Sequence, residues 1–202
     1  AKETAHQLGT PISSLMAWIQ LIETQDVDPM IPREMHKDVE RLEKITDRFS
    51  KIGSGGKLEE ADLNLTVKSV LDYLELRISN KVKIHFNAGD NMLVKHNPSL
   101  IEWVIENISK NAVDAMEGAG ELTVTIHKTP EWAHIDIKDT GKGIPANQIK
   151  TIFAPGFTTK KRGWGLGLSL VKRIITEYHN GKVFVLDSQV DVGTTFRISL
   201  PL

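Results

Sequence analysis

Apolar residues recur through the first quarter of the chain at alternating steps of three and four. The first series is Leu8, Ile12, Leu15, Ile19 and Ile22. The second series is Met35, Val39, Leu42, Thr46, Phe49 and Ile52. This spacing is typical of the seam between packed helices. Because Pro29 and Pro32 interrupt helix within residues 26–33, the pattern predicts an antiparallel helical hairpin.

A single hairpin cannot surround its own apolar seam. Pairing with a second copy would close a four-helix bundle, so we expect a homodimer formed through residues 1–56. The alternative is a hairpin that packs on the rest of its own chain. The sequence Gly53-Ser-Gly-Gly56 ends this unit with flexible chemistry that stops a helix.

Residues 57–202 mix helical and strand patterns. Helices are predicted over residues 65–79 after an Asn64 cap, over 98–117 after an Asn97 cap, and over 166–178. The strand patterns cover residues 81–86, 121–128, 132–138, 182–187 and 194–200. Helices on one face of a mainly antiparallel sheet make an α/β sandwich, so we predict an α+β fold class for the chain.

Composition narrows the functional classes. Apolar residues make up 40% and charged residues 25% of the 202 residues, which is typical of globular proteins. The net charge of −1 does not indicate binding to a nucleic acid or to a membrane surface, so we expect neither as a partner. The absence of cysteine excludes disulfides and cysteine-bound zinc. No apolar run approaches the roughly 20 residues that span a bilayer.

Two polar motifs are candidates for ligand binding. Asn107 and Asn111 share one face of a predicted helix, and an amide oxygen suits Mg²⁺ that is otherwise held by water and phosphates. Asp139-Thr-Gly-Lys-Gly-Ile144 follows a strand, where a carboxylate can accept a hydrogen bond from an exocyclic amine. Gly141 and Gly143 would let the backbone approach a flat ring. Taken alone, surface amides and an ordinary turn explain both motifs better.

A basic, glycine-rich segment precedes the last predicted helix. Gly163-Trp-Gly-Leu-Gly167 could bind an anion through backbone N–H groups at the helix start. Its spacing is not that of the dinucleotide motif. The preceding Phe153-Ala-Pro-Gly-Phe-Thr-Thr-Lys160 continues into Lys161 and Arg162, whose cations could meet terminal phosphates. A solvated flexible loop is the alternative.

The order of these motifs resembles the GHKL superfamily of ATP-binding domains, which gyrase, mismatch-repair ATPases, heat-shock chaperones and histidine kinases share. Residues 107–111 resemble its N box, 139–144 its G1 box, 153–157 its F box and 163–167 its G2 box. Gly193-Thr-Thr-Phe196 is similar to the final element, which touches adenine through water. The resemblance covers residues 60–202 and implies a Bergerat-type sandwich over 57–202.

The resemblance also implies ligands and roles. Asn111 would bind Mg²⁺ with Asn107 assisting, Asp139 would hold the adenine amine, and residues 153–164 would form a mobile lid. The residues implied in ATP binding are Asn107, Asn111, Asp139, Gly141, Gly143, Phe153, Lys160, Gly163, Gly165, Leu166, Gly167 and Thr194.

One position separates the branches of the superfamily. The water-splitting members and related serine kinases resemble one another in placing a glutamate four residues before the metal-binding asparagine. This chain has Asn107 there, and an amide cannot take a proton. The neighbouring Glu106 points about 100° away around the helix. The nucleophile must therefore arrive already competent, which argues against a plain ATPase.

Ala5-His6-Gln7-Leu8-Gly9-Thr10-Pro11 resembles the H box of sensor histidine kinases. A neutral imidazole has a lone pair available near pH 7. The resemblance implies autophosphorylation of His6, followed by transfer to an aspartate on the receiver domain of a response regulator. It also implies a cytoplasmic location, as part of a longer and membrane-anchored sensor.

Two neighbours of His6 modify this expectation. Gln7 stands where the family usually has an acidic residue that takes the proton from the imidazole. Because Gln7 cannot remove that proton, we expect slow autophosphorylation. Thr10 matches a position that orients water in related kinases, so phosphatase activity toward the partner is a second hypothesis. The alternatives are a GHKL ATPase or serine kinase, such as an anti-sigma-factor kinase, and a non-catalytic dimeric signalling module.

Overall fold

The computed structural model of the protein describes residues 15–25, 27–28, 30–33, 35–36, 39, 57–160 and 165–202. Four residues to which the sequence assigns part of the chemistry lie outside these ranges: His6, Gln7, Thr10 and Gly163. The chain divides into two compact units, Ala1–Gly56 and Lys57–Leu202. Each unit has its own core.

In the first unit, residues 15–23, 30–33, 35–36 and 39 are helical. Ile19 and Val39 form a buried cluster, against which Met16 and Met35 pack. The predicted interruption over residues 26–33 is too long, because helix resumes at residue 30. The Asp28 carboxylate accepts a hydrogen bond from Met30 N at 2.9 Å, as a helix N-cap does. Pro32 is tolerated because it lies in the first turn of this helix.

The second unit contains a five-stranded sheet and a separate two-stranded sheet. The strands are β1 (Glu59–Asp62), β2 (Val82–Ala88), β3 (Leu93–His96), β4 (Gly120–Lys128), β5 (Trp132–Asp139), β6 (Lys182–Gln189) and β7 (Gly193–Pro201). The larger sheet has the order β2-β4-β5-β7-β6. Its β2 and β4 strands are parallel, and its other neighbours are antiparallel. The predicted mainly antiparallel sheet is therefore confirmed.

One face of this sheet carries the core. Ile126, Ile135 and Ile198 are matched across three strands, and each is at most 4% exposed. The opposite face carries polar side chains such as Asp136 and Arg197, which form two hydrogen bonds. Because only one face is apolar, the helices cover that face, and the predicted α/β sandwich is confirmed.

The helices of the second unit are α1 (Leu63–Glu75), α2 (Pro98–Ala115) and α3 (Gly167–Arg173). The five residues Ile174–Tyr178 continue α3 as a π-helix. The α2 helix begins as predicted, since Asn97 Oδ1 accepts a hydrogen bond from Leu100 N at 3.0 Å and Pro98 lies in the first turn. None of the helices in the described ranges has both the length and the apolarity that crossing a bilayer requires.

The start of α1 differs from the prediction. Asp62, not Asn64, is its N-cap, and its carboxylate accepts a hydrogen bond from Asn64 N at 2.9 Å. The Asn64 amide instead donates to the carbonyls of Gly89 and Asp90. Asp62 also ends β1, which pairs with β3. These four-residue strands are too short for a visible alternation, so the sequence did not predict them.

Two fully buried histidines connect the first turn of α2 to neighbouring elements. His179 Nδ1 donates to the Ile174 carbonyl at 2.9 Å, and its Nε2 accepts from Asn97 N at 3.1 Å. His96 contacts the Val94 carbonyl and the Thr66 hydroxyl. Burial lowers the pKa of both rings, and a proton on His96 would lower the pKa of His179 further. Both histidines are therefore neutral parts of the core.

This pair predicts a loss of stability in mild acid. Below pH 6.5, His96 and His179 bind more protons in the unfolded chain than in the folded one. The free energy of unfolding should therefore fall as pH drops from 7 toward 5. Each unit of pKa lowering is worth about 1.4 kcal/mol. Urea unfolding across this pH range measures the slope. His179→Gln should reduce it, whereas His85→Gln on the exposed face of β2 should not. An unchanged slope in His179→Gln would contradict the assignment.

Candidate functional site

The C-terminal half of α2 carries the two asparagines. Both are half-buried, and the helix is held in place by the fully buried Ile105 and Ile108. A Cβ atom added to Gly167 would lie 2.5 Å from Asn107 Oδ1. The start of α3 therefore lies directly against the Asn107 amide, and a larger residue at position 167 would require that side chain to move.

Lys160 contacts the same helix one turn further on. Its Nζ donates to Asn111 Oδ1 at 2.8 Å and to the Asp114 carboxylate at 2.5 Å. The side chains of Lys160 and Asp114 are 46% and 57% exposed, so the pair is a weak surface ion pair. The Asn111 amide thus presents its oxygen to a cation. Asp114 was not singled out from the sequence, because nothing there distinguishes it from any other exposed acidic residue on a helix.

Glu106, the carboxylate nearest Asn107 in sequence, is engaged elsewhere. Its Oε1 forms an ion pair with Lys110 Nζ along the helix. The position four residues before Asn111 therefore holds an amide, and the adjacent acid is paired with a lysine on another side of α2.

Asp139 is the last residue of β5 and is only 3% exposed. Its Oδ1 accepts a hydrogen bond from Gly141 N at 2.8 Å. Burial raises the pKa of this carboxyl, while hydrogen bonds from the backbone N–H groups of Gly141 and Thr194 act in the opposite direction. A buried carboxylate with remaining acceptor capacity suits a hydrogen-bond donor such as an exocyclic amine.

The turn after Asp139 contacts both α2 and the β6–β7 hairpin. Lys142 N donates to the Ala115 carbonyl at 3.0 Å, and Asp191 N donates to the Lys142 carbonyl at 2.9 Å. Gly143 has φ +70°, and a Cβ atom there would lie 2.1 Å from the Gln189 carbonyl oxygen. Glycine is therefore required at residue 143 for both conformation and space.

The Ser188 hydroxyl lies beside this turn. Ser188 Oγ accepts a hydrogen bond from Ile144 N at 2.8 Å and lies 2.9 Å from Thr194 Oγ1. Sequence reasoning did not single out Ser188. A bulge between Val185 and Asp187 shifts the register, so that Ser188 and not Asp187 is opposite Thr194. Alternation alone does not reveal such a shift.

The F-box segment is anchored to the sheet and to the start of α3. The Phe153 ring packs edge-on against Phe196 with centroids 6.3 Å apart. Gly156 N donates to the Gly165 carbonyl at 3.0 Å. Leu166 precedes α3, and among the described residues no side chain caps that helix. Direct contacts thus place Gly167 against Asn107, Lys160 against Asn111, and Gly141 and Thr194 beside Asp139. Gly143, Phe153, Gly165 and Leu166 lie in the turn and segments described above, and Gly163 lies outside the described residues.

This arrangement fits an adenine nucleotide and a hard cation. The buried Asp139 carboxyl offers an acceptor for an amine, and the Asn111 oxygen already accepts from an ammonium group. The described residues contain no group of three or more His, Cys, Asp or Glu that could hold a metal ion. A Mg²⁺ ion at Asn111 would therefore need water and phosphate oxygens as further ligands, which Mg²⁺ commonly uses.

Comparison with known proteins gives one family match. Residues 96–202 match the family described as histidine kinase-, DNA gyrase B-, and HSP90-like ATPase. Sporulation kinase D of Bacillus subtilis (strain 168) is 29% identical over 210 residues, covering 100% of this chain and 41% of that protein. Sensor histidine kinase ZraS of Escherichia coli (strain K12) is also 29% identical, over 100% of this chain and 45% of its own length. The chain spans less than half the length of these curated relatives.

The fold is similar to a solved catalytic domain. The catalytic domain of histidine kinase ThkA is 27% identical with a TM-score of 0.66, covering 72% of this chain and 95% of that chain. The described contacts and these likenesses agree on a nucleotide-binding sandwich.

Proposed function

Because the chain belongs to the histidine kinase-, DNA gyrase B-, and HSP90-like ATPase family, we propose that it is the catalytic core of a sensor histidine kinase. The family includes proteins that hydrolyse ATP and proteins that transfer its phosphoryl group, so the branch depends on the site. The curated relatives that match the whole chain carry kinase names.

The observation that carries this proposal is the amide at residue 107. Asn107 lies against Gly167 at the start of α3, and the adjacent Glu106 is paired with Lys110. Residue 107 therefore provides no carboxylate that could activate a water molecule. The site therefore suits binding and orientation of ATP for a nucleophile that needs no base beside Asn111.

Each described residue has a proposed task. Asp139 accepts a hydrogen bond from the adenine amine, and Thr194 assists on the same side. Asn111 would bind Mg²⁺ with Asn107 assisting, and the metal would neutralise phosphate charge. Lys160 leaves Asn111 to contact the phosphates, while backbone N–H groups near Gly165 and Gly167 donate to the same oxygens.

The proposed reaction is phosphoryl transfer to His6. A ring nitrogen of His6 attacks the γ-phosphorus, the bond to the bridging oxygen breaks, and ADP leaves with the electron pair. The other ring nitrogen releases its proton to water, because the Gln7 amide cannot accept it. The phosphohistidine then donates to an aspartate on a response-regulator receiver domain. Dephosphorylation of that partner, with Thr10 orienting water, is a second proposed activity.

The first unit supports the proposed homodimer. Its core uses Ile19 and Val39, yet Leu15, Trp18 and Leu21 remain 40%, 62% and 54% exposed. Large apolar side chains on one helix indicate a surface that another helix covers. A second copy would cover it in a four-helix bundle.

We place both units in the cytoplasm, where ATP and a receiver domain are available. We propose no contact of these units with a nucleic acid or a membrane.

The chemical lability of the label tests the proposed function. Incubation with γ-labelled ATP and Mg²⁺ should give a label on the protein that acid removes and alkali does not, as a phosphoramidate behaves. Acid-stable label would favour a serine kinase, and ATP hydrolysis without label would favour an ATPase. Tight ATP binding with neither outcome would favour the non-catalytic signalling module.

The ion pair of Lys160 predicts a change in nucleotide affinity. Asp114→Asn should free Lys160 from its ion pair with Asp114 and tighten binding of a non-hydrolysable ATP analogue by about threefold, since exposed ion pairs are worth about 0.2–1 kcal/mol. Calorimetric titration with Mg²⁺ present measures this change. Asp72→Asn removes a similar exposed pair with Lys68 on α1 and should have no effect. If Asp114→Asn tightens binding equally in a Lys160→Met background, the contact with Lys160 is not the cause.

A further inference from the structure

The Lys160 side chain places a positive charge on the atom that would bind the metal. Its Nζ donates to Asn111 Oδ1 at 2.8 Å and to the Asp114 carboxylate. An ammonium group has donors only, so the amide atom that faces it must be the oxygen. Asn111 would offer this same oxygen to Mg²⁺. One ligand atom is therefore already in contact with a cation that belongs to the chain itself.

The structure on both sides directs this contact. Lys160 lies 49 residues after Asn111 in sequence, and its backbone N donates to Thr158 Oγ1 at 3.1 Å in a short-range bond typical of turns. Asn111 and Asp114 are three residues apart on α2, so they share one face of the helix. Both can therefore hold the same ammonium group.

Lys160 and a metal ion compete for the Asn111 oxygen. An amide oxygen has two acceptor positions, but two cations on one oxygen repel each other. Before a nucleotide binds, the ammonium group has the advantage. One amide and one carboxylate replace few of the water molecules that Mg²⁺ gives up reluctantly. A free divalent ion should therefore stay in solution while Lys160 remains on Asn111.

A triphosphate reverses this balance. Its oxygens form charge-assisted hydrogen bonds with an ammonium group, and they carry more charge than the single Asp114 carboxylate. They also supply oxygen ligands that the protein lacks, since the described part of the chain has no group of three or more His, Cys, Asp or Glu that could hold a metal ion. The nucleotide would thus attract Lys160 and complete the metal site together.

We propose that Lys160 is a stand-in cation that excludes free divalent ions from Asn111 until a nucleotide arrives, so that the site takes up its metal only together with phosphates. The inference rests on the proposed function, namely that this site binds ATP with Mg²⁺ at Asn111. Lys160 acts twice, blocking the metal position before the nucleotide binds and contacting phosphate afterwards.

Titration of the nucleotide-free protein with Mn²⁺ alone tests the exclusion. Bound Mn²⁺ broadens the NMR signals of nearby backbone amides, so broadening at residues 110–112 reports an ion at Asn111. The wild type should need about fivefold more Mn²⁺ than Lys160→Met for the same broadening, which is the upper end of what an exposed ion pair is worth. Lys160→Arg keeps a cation on Asn111 and should behave like the wild type.

Two further variants make the result specific. Lys68→Met removes a lysine of similar exposure from its ion pair with Asp72 on α1. It makes the same change of charge and should leave the broadening around Asn111 as in the wild type. In an Asn111→Leu background, Lys160→Met should bring no gain, because the amide oxygen is absent. An equal gain in that background would mean that Asp114 alone attracts the ion, and the inference would be wrong.

The metal dependence of nucleotide binding is the second readout. The dissociation constant of AMPPNP is measured by calorimetry with Mg²⁺ and with EDTA. Without metal, the wild-type ammonium group still offers a positive charge to the phosphates, whereas Lys160→Met offers none. The loss of affinity in EDTA should therefore be about fivefold larger in Lys160→Met. An equal loss in both proteins would mean that Lys160 and the metal act independently, which overturns the inference.

The outcomes distinguish this inference from the proposed function. If the wild type and Lys160→Met respond to Mn²⁺ alike, the inference is overturned, whether both bind the ion or neither does. Broadening around Asn111 by Mn²⁺ with AMPPNP would then still support the proposed metal position. If Mn²⁺ with AMPPNP leaves that region unbroadened, the metal position and the inference both fail. Lys160→Gln replaces Lys160→Met in every measurement if the latter does not fold.

Discussion

Replacing His6 with alanine should abolish the transfer of labelled phosphate from ATP to the protein. The proposed reaction needs a nitrogen lone pair to attack the γ-phosphorus, and a methyl group has none. No other nucleophile should take the place of His6. Residue 107 carries an amide in place of the base that would activate a water or serine nucleophile. We therefore expect complete loss of label, with no hydrolysis replacing it.

Two measurements make this prediction specific. The His6→Ala protein should bind a non-hydrolysable ATP analogue with wild-type affinity, because His6 belongs to the first unit and the nucleotide motifs to the second. His127→Ala serves as the matched control, since its side chain is 39% exposed on the polar face of β4, and its label should persist. Remaining acid-labile label in His6→Ala would mean that another histidine is the acceptor.

Regular patterns made part of the fold predictable. The alternation of residues 121–138 and the Asn97-Pro98 start of α2 each follow from local rules, and both elements are present. The cap of α1 was missed for a physical reason. Asp62 acts as the cap because it ends a strand that pairs with β3, and such pairing between distant segments has no local signature.

The candidate site shows the same limit. Asn111 and Asp139 could be selected because motifs of known order surround them. Asp114 and Ser188 could not, since their importance depends on contacts with residues far away in sequence, Lys160 and Ile144. The bulge in β6 further changes which side chain is opposite Thr194. Local chemistry therefore predicted the residues that would touch a ligand, while the residues that orient them required the structure.

Asp139→Asn should separate ligand binding from stability. Hydrogen bonds to charged groups are worth about 1.5–3 kcal/mol, so loss of the carboxylate should weaken binding of an ATP analogue by about 10- to 100-fold. The fold should not suffer in parallel. Burial raises the pKa of Asp139, which means that the ionised carboxylate destabilises the folded protein at neutral pH. Asparagine carries no charge, so the melting temperature should stay equal or rise.

Asp136→Asn is the matched control on the same strand. Asp136 lies on the opposite face of β5 and receives two hydrogen bonds from Arg197, at 2.7 and 2.6 Å. Its replacement should lower the melting temperature without changing nucleotide affinity. Calorimetric titration and thermal unfolding of both variants give the comparison. If Asp139→Asn lost stability and kept its affinity, Asp139 would be a structural residue, and the adenine site would have to be sought elsewhere on the sandwich.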